Sequence, residues 1–77
     1  MTPDPTDEHV GSRVRMRRLM LGMTQQELGA ALGLTVQQIE HYEGGTAHIG
    51  ASRLMHAAQI LQVAVTFFFG NDEPTAH

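Results

Sequence analysis

This chain of 77 residues is predicted to fold as an all-α domain organised around a helix-turn-helix. Three observations carry that prediction. Two capping boxes, Thr24 with Glu27 and Thr35 with Gln38, each open a short run of helical apolar spacing. A single glycine, Gly33, lies between the two runs, where a helix pair needs its turn. The one segment of strand propensity, around Val63 to Phe69, has no second strand to pair with.

The length suits one domain with one small core, and 42% apolar residues suffice for a compact helical unit but not for a large enzyme cleft. The absence of cysteine removes disulfides and thiolate metal sites. A small fold without such staples depends on helix packing or on a partner subunit. No apolar run approaches the ~18 residues that span a bilayer, and the start of the chain is acidic rather than signal-like, so a cytoplasmic protein with no membrane contact is expected.

Residues 1–8, with two prolines among small polar and acidic side chains, read as a disordered acidic leader. Residues 9–70 read as the helix-turn-helix domain, and 71–77 as a flexible tail. The first helix is predicted over about Glu8 to Leu21, with Val10, Val14, Arg18 and Leu21 on one face and Gly22 as its stop. Arg18 sits on that apolar face and asks for a buried carboxylate, for which Glu43 is well placed. The second helix is predicted over Gln25–Leu32, with Leu28, Ala31 and Leu32 inward and Gly29 where a neighbour approaches closely. The third, over Val36–Glu43, turns Ile39 and Tyr42 inward, so Val36, Gln37, Gln38 and His41 project outward. A fourth is predicted over about Ala51 to Gln62, with Leu54, Ala57, Ala58 and Leu61 inward, and a short fifth helix closes the core with phenylalanine rings.

The formal charge of −3 misleads as a guide to partners. Five of the eight acids lie in the terminal segments, and between His9 and Gly70 five arginines face three acids, a balance of +2. Four of those arginines crowd into positions 13 to 18. The domain is mildly basic, which predicts weak rather than strong non-specific attraction to nucleic acid.

From Val10 to Gly70 the chain resembles the Cro/repressor-type, or XRE-like, helix-turn-helix regulators. The resemblance rests on Val10-Gly11-Ser12-Arg13-Val14-Arg15-Met16-Arg17-Arg18, on Thr24-Gln25-Gln26-Glu27-Leu28 and on Tyr42-Glu43-Gly44-Gly45. The segment Ile49-Gly50-Ala51-Ser52-Arg53-Leu54 and the Phe-rich ending look like an alphaproteobacterial subgroup of that family. The resemblance implies a five-helix, lambda-repressor-like domain that binds double-stranded DNA, usually as a homodimer. It implies that Gln25 contacts a backbone phosphate, that the outward side chains of the third helix read bases, and that Arg18 and Glu43 form a structural ion pair. The chain departs from the subgroup's pattern at His41, where relatives often carry lysine, and at Ala47-His48, where they often carry asparagine and arginine. Both changes remove fixed positive charge from the expected DNA face.

On this reading Val36, Gln37, Gln38 and His41 are the base-reading set. The glutamines suit adenine N6 and N7, Val36 a thymine methyl, and His41 a guanine acceptor or a phosphate. Thr24 and Gln25 at the start of the second helix, Arg17, Thr46 and His48 are the expected phosphate contacts. His41 and His48 would gain charge in mild acid. Phe67 and Phe69 offer more aromatic surface than a small core covers and are the expected dimer contact. The five histidines show no metal-ligand spacing, no serine has a recognisable base partner, and no phosphate-cradling glycine loop occurs, so no metal, no cofactor and no enzyme activity are expected. The expected function is sequence-specific regulation of transcription, with repression the favoured sense. The competing expectation is a helix-turn-helix turned to protein binding, as an antitoxin, an antirepressor or a phage-encoded inhibitor, favoured by the acidic termini and the absence of lysine.

Overall fold

The computed structural model describes residues 5–70. Four α-helices, α1 (Pro5–Met20), α2 (Gln25–Leu32), α3 (Val36–Gly44) and α4 (Ala51–Leu61), are followed by one 3₁₀ turn, Val65–Phe68. The expected fifth helix is therefore a single 3₁₀ turn. Its four residues are too few for cooperative α-helical hydrogen bonding, and burial holds it in place. Phe68 is fully buried and Phe67 nearly so, their rings 5.8 Å apart edge to face. Burying one such ring contributes ~1.5–3 kcal/mol, more than the turn's own short ladder can supply.

The first helix starts at Pro5, ahead of the predicted Glu8, so residues 5–8 of the supposed leader are helical. Proline lacks the N–H that a first-turn residue cannot use, and Asp7 and Glu8 complement the positive end of the helix. Residues 1–4 of that leader, and the tail over 71–77, lie outside the described residues.

The core joins Val10 and Val14 of α1, Leu28 of α2, Ile39 of α3, Ile49 of the following loop, Leu54, Ala57, Ala58 and Leu61 of α4, and Phe67 and Phe68. Of the other residues predicted inward, Leu32 and Tyr42 pack half-buried against it and two are exposed. Leu21 is exposed because the chain leaves α1 at Met20 and turns through Gly22, and Ala31 faces solvent because Gly29 rather than Ala31 meets the neighbouring backbone.

The tightest packing is where α1 crosses α3. A Cβ on Gly11 would fall 2.1 Å from the Tyr42 carbonyl oxygen and 2.8 Å from that of Glu43, so no side chain fits. Both capping boxes form. Thr24 Oγ1 accepts from Glu27 N at 3.0 Å while Glu27 Oε1 accepts from Thr24 N at 2.8 Å. Thr35 Oγ1 accepts from Gln38 N at 3.1 Å while Gln38 Oε1 accepts from Thr35 N at 2.9 Å. Between them Gly33 takes φ 73°, a left-handed conformation that glycine adopts without a Cβ penalty.

Candidate nucleic-acid interface

The orientation of α3 is fixed by a buried polar cluster behind it. Arg18 Nε and Nη2 donate to Glu43 Oε2 and Oε1 at 2.6 and 2.9 Å, a two-pronged pair whose side chains are 7% and 3% exposed. Arg18 Nη1 donates to the Met23 carbonyl at 2.8 Å, and Gln25 Nε2 donates to Glu43 Oε1 at 3.1 Å. One carboxylate on α3 thus gathers α1 and the first residue of α2. Among the described residues no buried side-chain nitrogen or oxygen lacks a partner. That is the condition under which a buried charge pair is tolerated.

Gln37, Gln38 and His41 lie on the far side of α3 and are exposed, as their spacing predicted, while Val36 is exposed at its first turn on the side of Ile39. They are not equally available. The Gln38 amide oxygen is held by the capping box, which leaves its NH₂ group free to donate. Among the described residues the Gln37 side chain has no hydrogen-bond partner, so both ends of its amide stay open. His41 Nδ1 lies 2.9 Å from Thr46 Oγ1, and that hydroxyl donates to the His41 carbonyl at 3.2 Å.

The predicted phosphate contacts separate into two groups. Thr24 and Gln25 stand together at the start of α2, on an open groove that Arg15, Arg18, Leu19, Gly22 and Met23 also line. Gln25 spends one N–H on Glu43 and has a second to give. The other three are committed elsewhere. Arg17 Nε donates to the Leu61 carbonyl at 2.8 Å, and Nη2 reaches the Gln62 carbonyl at 3.5 Å, so this arginine closes the end of α4. The Thr46 hydroxyl lies within hydrogen-bond reach of both the His41 carbonyl and His41 Nδ1, at 3.2 and 2.9 Å. His48 Nδ1 donates to Asp7 Oδ1 at 2.9 Å, which ties this ring to the first turn of α1.

Phe67, expected at a dimer contact, is instead a core residue. Its ring lies under the Arg13 guanidinium, 4.1 Å from the ring centroid, and its carbonyl accepts from Arg13 Nε at 2.9 Å. Phe69 is 56% exposed. The sequence reading missed the structural duties of Arg13 and the exposed Arg53. Arg53 stands in the first turn of α4, with Nη1 3.5 Å from the Tyr42 hydroxyl. Among the described residues no three His, Cys, Asp or Glu side chains are grouped to hold a metal, and no helix is long and apolar enough to cross a membrane.

Comparisons with known proteins agree with this geometry. The family model described as Helix-turn-helix matches residues 14–68. An uncharacterized HTH-type transcriptional regulator of Sinorhizobium medicae is 61% identical over 67 residues, which are 87% of this chain and 48% of that protein. An uncharacterized transcriptional regulator in the ATPase CF(0) region of Rhodospirillum rubrum is 45% identical over 67 residues, 87% of this chain and 62% of that protein. This chain spans about half the length of the first of these curated relatives. Among solved structures, the restriction-modification controller protein C.AhdI of Aeromonas hydrophila superposes with a TM-score of 0.77 at 22% identity, over 82% of this chain and 96% of that one. The P22 c2 repressor, in complex with a synthetic operator, superposes with a TM-score of 0.75 at 25% identity over the same shares.

Proposed function

This chain belongs to the helix-turn-helix family, and from that premise we propose that it is a sequence-specific DNA-binding regulator of transcription that lays α3 in the major groove. The observation that carries the proposal is the division of α3: Ile39 and Glu43 are buried in the domain while Gln37, Gln38 and His41 stand outside it. A helix held from behind by an ion pair and presenting amides in front has the fixed register that base reading requires. Gln37, with both amide ends open, is the strongest reader, suited to adenine N6 and N7. Gln38 adds a donor, and Val36 apolar contact to a thymine methyl.

Phosphates would be held on either side of that helix. Thr24 and Gln25 offer donors at the positive end of α2, and Arg15, exposed and without a partner among the described residues, stands beside them. Arg53 supplies a second cation at the start of α4. The P22 c2 repressor was solved on an operator, and its likeness to this chain supports double-stranded DNA as the partner. Two copies bound to paired half-sites, with Phe69 at their contact, complete the reading.

A second reading, binding to another protein, is favoured by one observation. Arg13, Arg17 and Arg18 all turn to partners inside the domain, which leaves little positive charge outside, while Met16, Leu19 and Met20 on α1 are exposed. Selection of bound duplexes from a random pool, followed by a salt titration of the selected sequence, separates the two. A DNA reader yields a paired motif whose affinity falls with salt. A protein that retains no duplex in dilute buffer is not a regulator of the proposed kind.

A further inference from the structure

Whether His41 can read a base, and which one, depends on which ring nitrogen carries the proton. The group that bears on it is a neighbour five residues away, on the far side of the Gly45 turn. The Thr46 backbone N–H donates to the His41 carbonyl at 3.0 Å, and the Thr46 hydroxyl donates to the same oxygen at 3.2 Å. A hydroxyl has one proton to give, and the one proposed here goes to that carbonyl. What remains toward the ring is an oxygen lone pair, 2.9 Å from His41 Nδ1. In that arrangement a neutral imidazole carries its proton on Nδ1, which leaves Nε2 of this exposed side chain as an acceptor.

We propose that Thr46 is a positioning residue that fixes His41 as a hydrogen-bond acceptor, so that His41 selects a base carrying an exocyclic amino group in the major groove, adenine through N6 or cytosine through N4. This rests on the proposed function, since it assigns a role within the DNA contact. It reverses the role expected from sequence, in which His41 donates to guanine. Guanine presents only acceptors, N7 and O6, at that edge, and a lone pair facing them is repelled. A side chain that never meets DNA thus decides the sign of the contact made by one that does.

The test uses the full chain labelled with ¹⁵N at pH 8, well above the ordinary imidazole range near about 6.5. Two-bond ¹H–¹⁵N correlation spectra are recorded for the wild type, Thr46→Val and Thr46→Ser, alongside duplex selection with each. Valine keeps the shape and the backbone N–H but removes the hydroxyl, and a matching thermal melt establishes that the fold survives. The wild type and Thr46→Ser show the Nδ1–H form and prefer adenine or cytosine at one position of each half-site, by roughly fivefold to a hundredfold over guanine. Thr46→Val moves the signal toward the Nε2–H form and admits guanine at that position alone. An Nε2–H signal in the wild type overturns the proposal, as does an unchanged base preference in Thr46→Val. If no duplex is selected by the wild type, the regulator reading fails and the base-selecting role falls with it. The spectra of the free protein still report whether Thr46 holds the ring, so the two failures are told apart.

Discussion

The two faces of α3 use polar side chains in opposite ways. On the inner face, Glu43 is surrounded by three donated hydrogen bonds from Arg18 and Gln25 and is almost wholly withdrawn from water. On the outer face, the Gln37 side chain has no partner among the described residues, Gln38 keeps its NH₂ group and His41 keeps Nε2. The inner face spends its polar groups to fix where the helix lies, and the outer face leaves its own open to solvent. One nine-residue helix does both because its 3.6-residue period places positions 39 and 43 a turn apart on one side and 37 and 41 on another.

The sharpest way to break this comparison is to disturb the inner face. Arg18→Ala strands the Glu43 carboxylate in a buried site and is expected to cost ~3–5 kcal/mol of folding free energy, with Glu43→Gln following in the same direction. Thermal melts of both check this. Near-wild-type stability in the two variants rejects the idea that the pair fixes the helix. Gln37→Ala should do the reverse. Its stability stays within ~0.5 kcal/mol of the parent, while affinity for the selected duplex falls by ~1–3 kcal/mol. A titration at fixed salt that finds no change removes Gln37 from the readers.

Smaller effects sharpen the same contrast among the arginines. The slope of log affinity against log salt falls by about 0.9 for each phosphate neutralised. Arg53→Gln should therefore flatten the slope by about one per protomer, whereas Arg17→Gln should lower the melting temperature and leave the slope unchanged. The reverse pattern would mean that the assignments of Arg17 and Arg53 are exchanged. Phe69→Ser is expected to leave the melting of a dilute monomer unchanged and to weaken self-association. Sedimentation that shows the same dimer content as the parent excludes Phe69 from the contact.

What was legible in the sequence follows from physical cause. The Arg18–Glu43 pair could be read because helical periodicity placed an arginine among apolar positions in a domain with few acids. The capping boxes could be read because both partners lie within four residues. Arg13 and Arg17 could not, because their partners are the main-chain carbonyls of Phe67 and Leu61, and every residue carries a carbonyl. The crowding at Gly11 was equally hidden, since the atoms that exclude a side chain belong to the backbone of α3. The start of α1 was misplaced because a proline among acids reads as loose chain, although both suit a first helical turn. The bond between His41 and Thr46 forms only after the chain has reversed at Gly45, so helical spacing did not reveal it.

The inward-turned arginines would have a consequence for how a DNA reader of the proposed kind finds its target. With Arg13, Arg17 and Arg18 occupied at home, little positive charge would hold it on the millions of irrelevant stretches on a chromosome. Few copies would then be trapped on decoys, and most would be free to sample. Occupancy of the true target would track copy number closely, which suits a switch thrown by small changes in abundance.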